Sequence, residues 1–193
     1  IISDLGNDLI GGGAGIDTLD FYVKATSGVT VNLMSSHAQN TGMGMDRISG
    51  IENLRGSRFD DILTGDNNAN SIKGEMGNDI ISGGGGADTL FGDGGDDIID
   101  GGAGKDIIGG GVGTDRFVFT TLDGDEIKDW VAGEYIDAIG TGAVDFSIAH
   151  VGGKSLVTFD VDGDGAYDDG SILVYTTSAS LGDYILIGEP ILG

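Results

Sequence analysis

The chain has 193 residues, of which 39 are glycine, and its 32 acidic against 9 basic side chains give a formal charge of −23. That charge repels a phosphate backbone and an anionic lipid surface, the single proline excludes collagen, the absence of cysteine excludes disulfides and thiolate metal sites, and no run approaches the ~18–20 apolar residues of a membrane span. Glycine and charge favour disorder, but a hydrophobic content of 39%, regularly spaced, argues for a fold. The acids are 27 Asp and only 5 Glu. A merely solvating surface would use Glu as freely, because Glu suits helices and Asp suits turns.

Residues 1–20 open inside a pattern. Ser3 to Gly11 and Gly12 to Asp20 are nine-residue units with Asp8 and Asp17 at position six and Ile10 and Leu19 at position eight. The first residues, Ile1-Ile2-Ser3-Asp4, carry no basic and apolar leader that would read as a signal peptide. Residues 21–55 interrupt the units. Val29-Thr30-Val31-Asn32-Leu33 alternates like a strand, a longer loop is expected near Ser35 to Gly44, and Thr41 to Ser49 is a weaker copy of the unit with Asp46 and Ile48. The region reads as irregular coils of one solenoid.

Residues 56–118 hold seven units in unbroken phase: GSRFDDILT, GDNNANSIK, GEMGNDIIS, GGGGADTLF, GDGGDDIID, GGAGKDIIG and GGVGTDRFV. Six residues rich in glycine and ending in Asp form a turn, because glycine accepts backbone angles other residues resist. The next three, with a large central apolar residue, form a short strand that points one side chain inward. Two units make a coil of about 18 residues, so unit n lies beside unit n+2 in a parallel stack roughly 4.8 Å apart. One edge then carries Asp61, Asp79, Asp97 and Asp115, the other Asn70, Asp88 and Asp106. Carboxylates at that spacing repel, and two buried apolar side chains per coil cannot offset the entropy of ordering glycine-rich chain. A hard divalent cation between turns answers both problems. Calcium accepts six or more oxygens and mixes carboxylates with backbone carbonyls at ~2.3–2.6 Å, whereas magnesium demands a tighter octahedron and transition metals favour the His or Cys that the turns lack.

The units resemble the G-G-x-G-x-D-x-U-x nonapeptides of RTX (repeats-in-toxin) proteins, strongly over Gly56 to Val118 and well over Ser3 to Asp20. The resemblance implies an all-β fold: a parallel β-roll or β-helix solenoid of calcium-binding repeats, with calcium between adjacent turns on both edges. It implies a bacterial protein exported by type I secretion machinery, extracellular, that folds on meeting external calcium. Carried over by position, the ligands are Asp61, Asp79, Asp97, Asp115, Asn70, Asp88, Asp106, Asp8 and Asp17. To these come turn carbonyls of Gly74, Gly77, Gly83, Gly84, Gly85, Gly86, Gly92, Gly94, Gly95, Gly101, Gly102, Ala103, Gly104, Gly110, Gly111 and Gly113. The seven-unit block offers three sites on one edge and two on the other, about five calcium ions. Asp46 completes a further site with either Asp8 or Asp17, or none. Two departures stand out: the Asn70 unit lacks a formal charge at position six and most of its glycines, and Glu75-Met76 replaces Gly-x. Gly50 to Ser57 resembles the segment leading into the repeats of secreted RTX proteases.

After Val118 the nine-residue phase is lost. Phe117-Val118-Phe119, Ile127 to Trp130, Leu156 to Phe159, Ile172 to Tyr175 and Tyr184 to Ile187 read as strands of a C-terminal β-rich cap over 119–193, which a solenoid needs to cover its last coil. Ile127 to Glu134 resembles the I-x-D-F-x-x-G segment that follows the repeats in the family, and the family's position for its export signal falls on Leu181 to Gly193. Asp160-Val161-Asp162-Gly163-Asp164-Gly165 begins like an EF-hand loop, but position twelve is Ser171 rather than Glu and the flanks read as strands. It is either a further calcium site on Asp160, Asp162, Asp164 and Asp168 or an acidic hairpin turn. Position seven should point outward, which stacks Ile62, Ile80 and Ile98 into an exposed stripe, covered by neighbouring loops or by a partner.

Nothing in the sequence supports an active site: His37 and His150 lack metalloprotease spacing, and adjacent acids such as Asp96-Asp97 belong to the turns. The expected function is a non-catalytic calcium-binding module that folds on extracellular calcium and aids secretion of a larger exoprotein. Its upstream domain would be absent from this chain, which starts inside a repeat. The alternative is a module binding an anionic polysaccharide or a surface, for which Arg47, Arg55, Arg58 and Lys73 gather near the start of the block.

Overall fold

The structure, a computed structural model, describes every residue except 3, 132, 139–140, 142–144, 152–153, 162–165, 167–169, 175–184 and 187–193, and only the backbone of 145–151, 160 and 186. Among the described residues there is no α-helix, and no helix long and apolar enough to cross a membrane.

Two sheets, parallel throughout the repeats, face each other. The seven-stranded sheet stacks Thr30–Asn32, Ile62–Thr64, Ile80–Ser82, Ile98–Asp100, Arg116–Val118, Tyr135–Asp137 and Ile185–Leu186. The nine-stranded sheet stacks Thr18–Asp20, Asn53–Arg55, Ser71–Met76, Thr89–Gly94, Ile107–Val112 and Asp123–Ile127, then Gly170–Val174, Lys154–Asp160 and Asp145–Val151. The register is the one that a two-unit coil demands: Ile62 lies beside Ile80 and Ile80 beside Ile98, while Ser71 lies beside Thr89 and Thr89 beside Ile107. Strands of the second sheet reach six residues, longer than the unit predicts, because pairing runs on into the next turn, where Glu75, Asp93 and Gly111 are in register.

Position eight builds the core. Leu63, Ile72, Ile81, Leu90, Ile99, Ile108 and Phe117 are fully buried and form one cluster with Ile127, Trp130 and Ile136 beyond the repeats. Position seven faces outward, and Ile62, Ile80 and Ile98 form the exposed stripe, each 40–47% accessible.

The sheets do not stop where the nine-residue phase stops. Ile107 pairs with Glu126 and Arg116 with Tyr135, so one more coil is laid down by residues with no glycine-rich turn. Beyond that coil Gly170–Val174, Lys154–Asp160 and Asp145–Val151 pair antiparallel. Two expectations need correcting. The segment expected as a strand from Ile127 ends at Ile127, the last residue of Asp123–Ile127, since Asp129 Oδ1 takes the Gly110 N–H in place of a strand carbonyl. The loop expected over Ser35 to Gly44 contains Gln39–Asn40, paired antiparallel to Met45–Ser49, which itself pairs with Leu9–Gly11.

Candidate metal sites on the two edges of the roll

Stacking identical units sets each position-six residue one coil above its counterpart, and the carboxylate reaches back to that counterpart's backbone. Asp79 Oδ1 accepts the Asp61 N–H at 2.8 Å, Asp97 Oδ1 that of Asp79 at 2.8 Å, and Asp115 Oδ1 that of Asp97 at 2.9 Å. On the other edge Asp88 Oδ1 accepts from Asn70 and Asp106 Oδ1 from Asp88, both at 2.8 Å. Each edge is thus a ladder of buried carboxylates, Asp79 to Asp115 being no more than 1% exposed.

Only one oxygen of each carboxylate is served. Oδ2 of Asp79, Asp88, Asp97, Asp106 and Asp115 is buried and accepts no hydrogen bond. An ionised carboxylate buried with an unpaired oxygen is costly unless a cation meets it. Burial accordingly pushes Asp79 up to about 7, against the opposing pull of the Asp61 N–H, and pushes Asp88 and Asp97 up to about 6. Asp61, Asp106 and Asp115 are raised for the same reason.

The glycines explain how the orphaned oxygens fit. At position one, a Cβ on Gly74, Gly83 or Gly92 would overlap Oδ2 of Asp79, Asp88 or Asp97 and the carbonyl of Gly92, Gly101 or Gly110 in the next coil. Only a residue with no side chain lets the carboxylate and that carbonyl crowd together. At position two the backbone is left-handed: Gly84, Gly102 and Gly111 have φ of 90–102°. Glu75 (φ 80°) and Asp93 (φ 70°) take the same shape at a steric cost of about 1–2 kcal/mol, so the coil dictates the conformation even where the sequence departs from glycine. Of the turn carbonyls, those of Gly84, Gly94 and Ala103 accept backbone hydrogen bonds from Ala103, Gly77 and Gly86, and that of Gly102 accepts from the Thr121 hydroxyl. Each retains a second lone pair. Among the described residues no three acidic or imidazole side chains form a metal cluster. The donor set is therefore mixed, few carboxylates with many carbonyls, which suits calcium rather than a transition metal.

The head of the ladder differs. Asp61 Oδ1 accepts from the Val29 N–H and the Ser57 hydroxyl, both at 2.7 Å, and Oδ2 from the Ser57 N–H at 2.5 Å. Asn70 Oδ1 accepts from Asp66 N–H at 2.7 Å, and its amide donates to the Glu52 carbonyl at 2.8 Å. Asp46 meets Asp8, whose N–H it accepts at 2.9 Å, and its other oxygen takes the Thr41 hydroxyl. Asp17 meets Glu52 instead, at 2.8 Å from the Asp17 N–H, and its Oδ2 is unserved. Asp162, Asp164 and Asp168 lie outside the described residues, as does the Asp160 side chain; the strands flanking them pair as a hairpin, Phe159 beside Gly170.

Three ladder residues escape the nine-residue frame: Glu52, Asp125 and Glu134. Each occupies a position-six place in an acid-x-large-apolar triplet (Glu52-Asn53-Leu54, Asp125-Glu126-Ile127, Glu134-Tyr135-Ile136), and that triplet without its glycine turn was the available signal. Of the bases, Arg55 and Lys73 are register partners. Arg55 and Arg58 lie over the Tyr22 ring, 4.3 and 4.6 Å from its centroid, with Arg55 also paired to Asp20 and Glu75. Arg47 sits in the separate small sheet.

The profile of the RTX calcium-binding nonapeptide repeat family matches residues 1–19, 46–81 and 82–117. No curated protein matches the chain by sequence. Among solved structures, the AlgE6R2 subunit of the Azotobacter vinelandii mannuronan C5-epimerase is 25% identical at a TM-score of 0.55, covering 68% of this chain and 95% of that one. The AlgE6R3 subunit of the same epimerase is 26% identical at 0.42, covering 66% and 78%. The extracellular lipase LipA of Serratia marcescens shares the fold at 16% identity and 0.52, covering 96% of this chain, which spans 37% of the lipase.

Proposed function

Because this chain carries RTX calcium-binding nonapeptide repeats folded as a β-roll, we propose that it is a calcium-triggered folding module: a non-catalytic segment of a larger secreted bacterial protein, disordered where calcium is scarce and folded where it is abundant. The observation that carries this reading is the run of buried carboxylate oxygens without a donor from Asp79 to Asp115, repeated coil after coil beside crowding turn carbonyls. In this reading calcium sits between successive coils, held by Asp79, Asp88, Asp97, Asp106 and Asp115 with the carbonyls of their turns. With a dissociation constant of ~0.1 mM at ~1 mM calcium, each site adds about 1.4 kcal/mol, and five add roughly 7 kcal/mol, the stability of a small domain. Folding of the roll after export follows in this reading, since the −23 charge and the orphaned carboxylates of the coils beyond the head oppose closure until calcium meets them. Circular dichroism against calcium concentration tests it. The β-sheet signal should be largely absent in chelator, rise cooperatively with calcium, and not be restored by equal magnesium. A full β-signal in excess chelator would overturn the proposal.

A second reading, binding of an anionic polysaccharide, is favoured by the two guanidinium groups over Tyr22 and by the likeness to a subunit of a mannuronan epimerase. At fixed saturating calcium, alginate should bind the chain and bind Tyr22→Ala less; no binding by the wild-type chain removes this reading and leaves the first intact.

A further inference from the structure

Asp125 and Glu134 lie beyond the seven repeats and beyond the residues the family profile matches, yet each continues one ladder. Asp125 Oδ1 accepts the Asp106 N–H at 2.8 Å, the bond made inside the repeats, but across 19 residues. Glu134 immediately precedes Tyr135, the register partner of Arg116, as Asp115 precedes Arg116, so Glu134 stands one coil above Asp115. Its Oε2 accepts the Val131 N–H at 2.9 Å. Both side chains are 1% exposed. Asp125 Oδ2 and Glu134 Oε1 accept no hydrogen bond from any N–H or hydroxyl, and nor does Oδ2 of the residue below each, Asp106 and Asp115; Glu134 and Asp115 meet carboxyl to carboxyl.

The cations of this coil answer to other acids. Lys105 and Lys128 pair with Glu126, and Arg116 pairs with Asp137. Two buried acids on each edge thus face one another. Burial raises Asp125 to about 7 and Glu134 to about 8, with Asp106 and Asp115 respectively adding repulsion.

We propose that the junction between roll and cap holds two further hard divalent cations, one between Asp106 and Asp125 and one between Asp115 and Glu134. This rests on the reading that the ladders take calcium, and it extends the metal-dependent structure by one coil into sequence with no repeat. Its consequence is mechanical. The strand Asp123–Ile127 pairs with Ile107–Val112 on one side and with the cap strand Gly170–Val174 on the other, so a cation on Asp125, in its middle, fastens the cap to the roll. Cap docking is then under calcium control rather than following from core packing alone.

The test uses the whole chain. Calcium bound at saturation is counted by equilibrium dialysis for wild type, Asp125→Asn and Glu134→Gln; the asparagine keeps the Oδ1 that receives the Asp106 N–H. Each variant should lose one bound ion, and the double variant two. Terbium, a hard stand-in for calcium, supplies a second readout on the wild type itself. Trp130 is the sole tryptophan, buried and next to the Val131 that bonds Glu134. Exciting it should light terbium at the Glu134 edge, and Glu134→Gln should abolish most of that emission while Asp125→Asn spares it. Equal ion counts in wild type and both variants, or no tryptophan-sensitised terbium in a wild-type chain that binds calcium, would overturn the junction sites while leaving the repeat sites standing. A wild-type chain that binds no calcium would sink both.

Discussion

Asp61 and Asn70 stand at the head of the seven-unit block on its two edges, and Asp79 and Asp88 follow them one coil later on the same backbone. At the first pair the protein completes its own hydrogen bonds. Ser57 serves both oxygens of Asp61, and Asn70 replaces a charge with an amide that reaches the Glu52 carbonyl. At the second pair an oxygen on each side chain is left without a donor. Two neighbouring coils of one solenoid therefore solve the same problem differently, the first with serine and asparagine, the second by needing a cation. A coil with a self-sufficient ladder can form before metal arrives, whereas one with orphaned carboxylates cannot. The head of the block is thus suited to template the coils that follow.

What head and middle share is the glycine at position one, and removing it should have the largest effect. A Cβ on Gly92 would overlap Asp97 Oδ2 and the Gly110 carbonyl. Overpacking and displaced ligands together predict a loss of about 3 kcal/mol or more for Gly92→Ala, read as a fall in thermal midpoint at saturating calcium. Gly94→Ala, two residues on in the same turn, meets only the Glu75 carbonyl at 3.5 Å and should cost less than about 1 kcal/mol. Equal effects would show that the turn tolerates side chains generally and that the crowding at position one does not matter.

The repeats were legible in the sequence because each unit says the same thing seven times. The phase of Asp79, Asp88 and Asp97 and of Ile81, Leu90 and Ile99 is enough by itself to specify the coil length, the register and the two edges. The resemblance to RTX repeats extended this to the metal. Illegible were the places where one residue does the work once. Ser57 looks like a turn residue until its N–H and hydroxyl are seen on Asp61. Glu52 stands 35 residues from Asp17 in sequence yet accepts its N–H, because the excursion through 21–51 is spliced between two successive coils. Asp125 and Glu134 keep the ladder outside the nine-residue frame, each preceded by a single left-handed glycine, Gly124 (φ 88°) and Gly133 (φ 115°), where the repeats carry several. Periodicity reports what is repeated, and hydrogen-bond completion, which separates the two kinds of coil, is not repeated.

Exchanging the chemistry of head and middle sharpens the comparison most finely, through the dependence of thermal midpoint on calcium concentration, whose slope scales with the ions taken up on folding. Asp97→Asn retains an Oδ1 for the Asp79 N–H but removes the charge shared by the intervals on either side of it. It should flatten the slope and destabilise the calcium-loaded chain by about 1.4 kcal/mol for each site lost. Asn70→Asp does the reverse. It breaks the bond to the Glu52 carbonyl, adds a buried oxygen without a donor beneath Asp88, and should steepen the slope while lowering the midpoint at the low end of the calcium range. In 1 mM calcium the two changes at Asn70 oppose each other, so its net stability should move by less than about 1 kcal/mol. Slopes that shift in the same direction for both variants would mean that an orphaned carboxylate at position six does not govern metal uptake, and that head and middle differ only in sequence.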